Sequence, residues 1–163
     1  MILQNLIHDI HSSLKAYSVG LGKEKYLIEK AWTLVDGNLN VHRLIFKKKG
    51  VLRAFKNGNL EDNCTWDFEP SINSLIIKIG NDAVVLNEIF LDGKVLVLRQ
   101  DNTNEFLVFI NKELLQGDQL GKYLLDVKNT DPGDGADGGA IMPIIGIITI
   151  LIFLVSLLVH CST

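Results

Sequence analysis

Cysteine is scarce in this chain, with two residues in 163. That excludes a small fold stapled by disulfides. A strong charge of either sign is also missing. Sixteen Lys and Arg stand against nineteen Asp and Glu, a formal net charge of −3 at pH 7, too little positive charge for a general nucleic-acid binder. The polar bias of disordered chains is absent too, since 47% of the residues are hydrophobic. No glycine-rich loop follows a strand in the manner of a phosphate cradle. The segment Met1 to Ile7 has no basic residue, and His8 and Asp9 end its apolar run, so a secretory signal is not expected.

What is present most conspicuously is an uncharged run from Gly138 to Val159. Fourteen of its residues are Ile, Leu, Val or Phe. They sum to about −4 to −8 kcal/mol of insertion free energy. About 20 apolar residues span the hydrocarbon core of a bilayer. The expectation is a single transmembrane helix over 141–160 that includes Pro143, Gly146, Phe153 and Leu158, with the lipid bilayer as its partner. Pro143 falls in the first turn, where its missing N–H is tolerated. Before the span, 129–140 holds glycine, aspartate and one proline, the composition of a tether. Its acids do not follow a calcium-loop pattern. All Lys and Arg precede the span, which places the N-terminal domain in the cytoplasm and a short tail on the far side.

The remaining chain divides by period. Residues 1–20 read as an amphipathic helix, with Ile2, Leu3, Leu6, Ile7, Ile10 and Leu14 on one arc. In 21–128 the period shortens to two. Strands are predicted over 25–35, 41–47, 51–56, 60–68, 73–79, 83–90, 94–100 and 104–111. Asp36-Gly37, Asn57-Gly58 and Asp92-Gly93 read as hairpin turns, with Lys49-Gly50 and Gly80-Asn81 as further turns. Connections this short require antiparallel pairing. Apolar residues at both parities, as in Val95 to Leu98, indicate strands covered on both faces. Leu114, Leu115, Leu120, Leu124 and Val127 suggest a second helix.

The run Trp32 to Asp36, the hairpin Leu44 to Leu52, Asn57-Gly58 and Trp66 are together similar to the lipocalin-like β-meander pattern. That pattern has a Trp early in the first strand, an aromatic-Lys-x-Gly hairpin and a second Trp on the fourth strand. The continuation from Asn73 to Asn111 resembles a set of small proteins of Bacteroidota-type bacteria that have no established activity. The resemblance implies a mainly β fold, an eight-stranded antiparallel barrel-like meander, with a small apolar ligand inside the barrel as one possible occupant. A pleckstrin-like barrel closed by a C-terminal helix is the alternative architecture.

Chemistry-bearing residues are few. His8 and His11 lie three apart on the first helix without a third ligand nearby in sequence. Cys64 and His42 have no spacing that marks a nucleophile and its base. Glu61, Asp62, Asp67 and Glu69 alternate along a hairpin as a solvated face does. Asn87-Glu88 interrupts an apolar strand, either lining a pocket or capping an edge. The densest charge feature is Arg43, Lys47, Lys48, Lys49, Arg53 and Lys56, with no acid among them. Such a hairpin suits anionic headgroups or a protein partner, or protects a sheet edge. Phe46 and Phe55 alternate as core residues, so base stacking is not expected. The reading is therefore a membrane-tethered, non-enzymatic binding or adaptor module without a cofactor or metal. An apolar-ligand barrel and an enzyme with a site inside the barrel are the other classes.

Overall fold

The computed structural model describes residues 2–130, which belong to one compact unit, Met1–Asp131. The expected linker beyond Thr130 and the expected span, including Pro143, Gly146, Phe153 and Leu158, lie outside the described residues. No helix among the described residues is long and apolar enough to cross a membrane.

Helix α1 (Ile2–Tyr17) is followed by a single helical turn, α2 (Glu24–Leu27). Nine strands then form one antiparallel sheet: β1 (Ala31–Asp36), β2 (Arg43–Phe46), β3 (Leu52–Lys56), β4 (Asn59–Leu60), β5 (Thr65–Glu69), β6 (Ser74–Ile79), β7 (Asp82–Leu91), β8 (Val95–Gln100) and β9 (Phe106–Asn111). Helix α3 (Leu120–Asn129) ends the described chain. The order across the sheet is β4-β3-β2-β1-β9-β8-β7-β6-β5. The sheet is curled into a half-barrel, and its far strands meet where Val51 and Thr65 form an antiparallel bridge. There the Leu52 N–H donates to the Cys64 carbonyl at 3.2 Å.

The count of nine corrects the expected eight. The predicted strand 60–68 is interrupted at Glu61–Cys64, where Asn63 takes a left-handed φ of 55° and β4 parts from β5. The predicted strand 25–35 starts too early. Residues 24–27 form a helical turn, Ile28 is extended but makes only a single bridge to Phe46, and Glu29 at φ 61° breaks the chain before β1.

Apolar residues at both parities are explained by two cores. Inside the curl, Trp32, Leu44, Phe46, Leu75, Leu86, Leu96, Leu98 and Phe109 pack together. On the other face of β7–β9, Val95, Val97, Phe106, Val108 and Ile110 meet Ile7, Ile10 and Leu14 of α1 and Leu120, Leu124 and Val127 of α3. A bulge in β7 between Glu88 and Phe90 turns two successive residues, Ile89 and Phe90, toward the helices. Of the α1 arc read from the sequence, Leu3, Leu6, Ile7, Ile10 and Leu14 are on the face that packs. Gln4 of α1 also uses its side-chain amide as a strand would. It donates to the Phe106 carbonyl at 2.9 Å and accepts from the Phe106 N–H at 3.2 Å.

The turn dipeptides divide by use. Asn57 (φ 51°) and Gly58 (φ 84°) make a two-residue hairpin with both angles positive, as a type I′ turn needs. Asp36-Gly37 does not close a hairpin, because β2 begins only at Arg43. Gly37, at φ 110°, is needed for close approach instead. A Cβ there would stand 2.4 Å from the Phe106 carbonyl oxygen and 2.7 Å from a Leu107 methyl. Gly37→Ala is therefore expected to cost about 2–4 kcal/mol in urea unfolding. Gly58→Ala, which meets open space, is expected to cost about 1 kcal/mol. Equal losses at both sites would contradict the packing assignment.

Candidate functional site

Both ends of the sheet follow from its topology. In an antiparallel meander successive connections alternate between two ends. The β2–β3, β5–β6 and β7–β8 connections share one end, and the β1–β2, β3–β4, β6–β7 and β8–β9 connections share the other. The segment from Ser18 to Lys30 crosses the first of these ends. Val19 donates to the Leu91 carbonyl at 2.8 Å, and Glu29 to the Phe46 carbonyl at 2.9 Å. Leu21, Leu27 and Ile28 on this segment join the interior core, so they plug that end.

Glu88 holds the plug in place. Only 4% of it is exposed. Its carboxyl oxygens accept from the Ser18 hydroxyl, from the Leu21 N–H at 3.3 Å and from the Asn73 side-chain amide at 2.5 Å. Ser18 in turn accepts from the Leu91 N–H at 3.0 Å. Buried polar groups are costly unless bonded, and here every bond joins Glu88 to the crossing segment or to the β5–β6 connection. Asn87 points to the other face, bonding Ser74 at 2.6 Å and Asp101 at 3.1 Å. The two neighbours thus do not converge on a pocket. Glu88 caps and latches the end of the sheet, which resolves the choice the sequence left open.

The interior is occupied by the protein's own side chains. Trp32, Phe46 and Phe109 are fully buried, and Trp66 nearly so. The Trp32 indole N–H donates to the Leu27 carbonyl at 2.9 Å, and that of Trp66 to the Lys47 carbonyl at 2.8 Å. Phe46 and Trp66 meet edge to face, 5.4 Å between ring centroids. Both tryptophans of the lipocalin-like pattern therefore tie the interior to the plugged end.

The six basic residues lie along one hairpin but on different parts of it. Lys48 and Lys49 form its exposed tip, with Lys49 at φ 61°, and the Lys47 N–H closes the turn on the Val51 carbonyl at 2.8 Å. Lys47 is ion-paired with Glu29. Arg43 and Arg53 are exposed at outward register positions, opposite Phe55 and Ile45. The Arg43 guanidinium sits over the Phe55 ring at 4.1 Å. Lys56, at the other end of β3, has the parity of the buried Leu52 and Ala54 and pairs with Asn59. The tip lysines and Lys56 are thus at opposite ends of the sheet.

Other chemistry-bearing residues are structural in their surroundings. His11 bonds the His8 carbonyl at 2.7 Å, and the two rings stack with 5.9 Å between centroids. Among the described residues no three His, Cys, Asp or Glu side chains converge as metal ligands. Burial pushes the Cys64 thiol above its ordinary value, which opposes a reactive thiolate. Glu69 accepts from the Ser71 hydroxyl at 2.6 Å and its N–H at 3.2 Å, which lowers its carboxyl below the usual range.

A tyrosine that the periodicity did not single out docks α3 on the sheet. The Tyr123 hydroxyl donates to Asp92 of the β7–β8 connection, whose other oxygen accepts from the Lys94 and Val95 N–H groups at 2.9 Å each. Burial, and then the charge and hydrogen bond of Asp92, raise the Tyr123 phenol far above its ordinary value. Such a group stabilises the fold fully below the unfolded tyrosine value of about 10 and loses that contribution as pH rises above it. Tyr123→Phe should therefore cost about 1 kcal/mol at neutral pH, and the deficit should shrink as urea unfolding is repeated above about pH 10. A deficit constant with pH would remove the phenol–Asp92 contact from the account.

No family model matches the chain, and no curated protein or solved structure matches it, so the curled meander itself is the only part of the lipocalin-like resemblance that the structure supports.

Proposed function

We propose that this chain is a membrane-tethered, non-enzymatic binding or adaptor module that meets its partner on its surface. The observation that carries the surface reading is the filled interior, with Trp32, Phe46 and Phe109 occupying the space that a calyx would leave to a ligand. The polar interruption of β7, Glu88, is engaged by the latch, which supports the non-enzymatic reading. The tether rests on the uncharged sequence from Gly138 to Val159, whose insertion free energy is favourable.

Alkaline carbonate extraction of membranes from cells expressing the full chain tests the tether. The full chain is expected to stay in the membrane pellet, and the chain ending at Asp131 in the supernatant. Release of the full chain by carbonate would contradict the reading.

A further inference from the structure

We infer that the plugged end of the sheet is a docking surface for an anionic bilayer. The inference rests on the tethered-module reading and names the partner of its surface.

Charge is divided between the ends. The connections at the plugged end carry Lys47 to Lys49 on the β2–β3 tip, Lys94 on the β7–β8 turn, and Lys23, Lys25 and Lys30 on the crossing segment. The acids among them are partly consumed. Glu29 is ion-paired with Lys47, and Asp92 is held by Tyr123 and two backbone N–H groups. Glu24 on the crossing segment and Glu113 and Asp118 after β9 remain exposed, with Lys112 beside them, and Glu69 is half-buried where β5 enters its connection. The connections at the opposite end, Gly37 to His42, Asn57-Gly58, Gly80-Asn81 and Asp101 to Glu105, contain no lysine or arginine and two acids.

Apolar side chains are exposed at both ends, with Leu60 49% and Val35 40% exposed toward the opposite one, but only at the plugged end do they stand among lysines. Val51 beside the lysine tip is 50% exposed, and Ile72 in the β5–β6 connection is 58% exposed. Both belong to the plugged end. Lysines around protruding aliphatic side chains match a headgroup layer over acyl chains, where charge and apolar burial add. An acidic soluble partner would use the lysines but would not need separated aliphatic protrusions. The exit of the chain is on this end as well. Tyr17 donates its hydroxyl to the Thr130 carbonyl, one residue before Ser18 bonds Leu91. Thr130, the last described residue, therefore lies beside the basic surface.

The test uses residues 1–131, the compact unit that contains both cores and all nine strands. Its cooperative urea unfolding is checked first for every variant. Co-sedimentation is measured with phosphatidylcholine vesicles with and without phosphatidylserine. Binding is expected only with phosphatidylserine, and it should weaken as salt rises. Lys48→Gln with Lys49→Gln should weaken it about 30-fold, a factor of about 5 for each charge. Arg43→Gln with Lys56→Gln removes the same charge at the opposite end of the β2–β3 hairpin and should leave binding unchanged. Val51→Ser with Ile72→Ser should weaken binding while keeping its salt dependence. The inference is overturned if the folded unit does not bind, binds both vesicles equally, or loses equal affinity in the two charge-removing pairs. This unit lacks the apolar run, so failure here leaves the tether standing. Carbonate release of the full chain would in turn leave the vesicle result standing.

Discussion

Burial of both faces of β7, β8 and β9 is the constraint on which the rest of the structure depends. A sheet with one buried face would leave Val95, Val97, Phe106, Val108 and Ile110 in water. Burying such a side chain is worth about 1.5–3 kcal/mol, so this face demands α1 and α3. The opposite face of the same strands curls around Trp32, Phe46 and Phe109. Once α1 packs outside and β1 must pair with β9 inside, the chain has to cross one end of the sheet. The crossing segment then becomes the plug, and Glu88 becomes its latch.

That arrangement decides what the protein offers a partner. The interior is taken by its own aromatic side chains, and the buried polar atoms are spent on holding elements together. Among the described residues no buried side-chain polar atom lacks a partner. Ligand sites in proteins usually combine an apolar hollow with a few convergent polar groups. Here the polar groups adjacent in sequence, Asn87 and Glu88, face opposite ways. The proposed surface reading starts from this, and the ends of the sheet differ in charge.

Much of this fold was legible in the sequence because its signals were local. The α1 arc, the Asn57-Gly58 turn and the two-sided strands each depend on neighbours within a few residues. Misreadings arose where tertiary contact outweighed local pattern. Leu27 and Ile28 looked like strand residues, yet Leu27 plugs the end of the sheet from a helical turn and Ile28 from a single bridge to Phe46. Asp36-Gly37 looked like a hairpin, but its glycine is required by the Phe106 backbone across the sheet. The 60–68 strand carried no warning of its break at Asn63. For the candidate site, the sequence showed the β2–β3 lysines as a cluster but could not show that the crossing segment brings Lys23, Lys25 and Lys30 to the same end. Nor could it separate Lys56 from the tip, since strand direction and not sequence distance does so.

The central claim is that the interior is filled and the surface does the binding. Native mass spectrometry of residues 1–131 purified without detergent tests it most directly. The account predicts the bare mass of the polypeptide. A stoichiometric co-purifying mass of small-molecule size, lost on unfolding, would contradict it and return the function to the inside of the sheet.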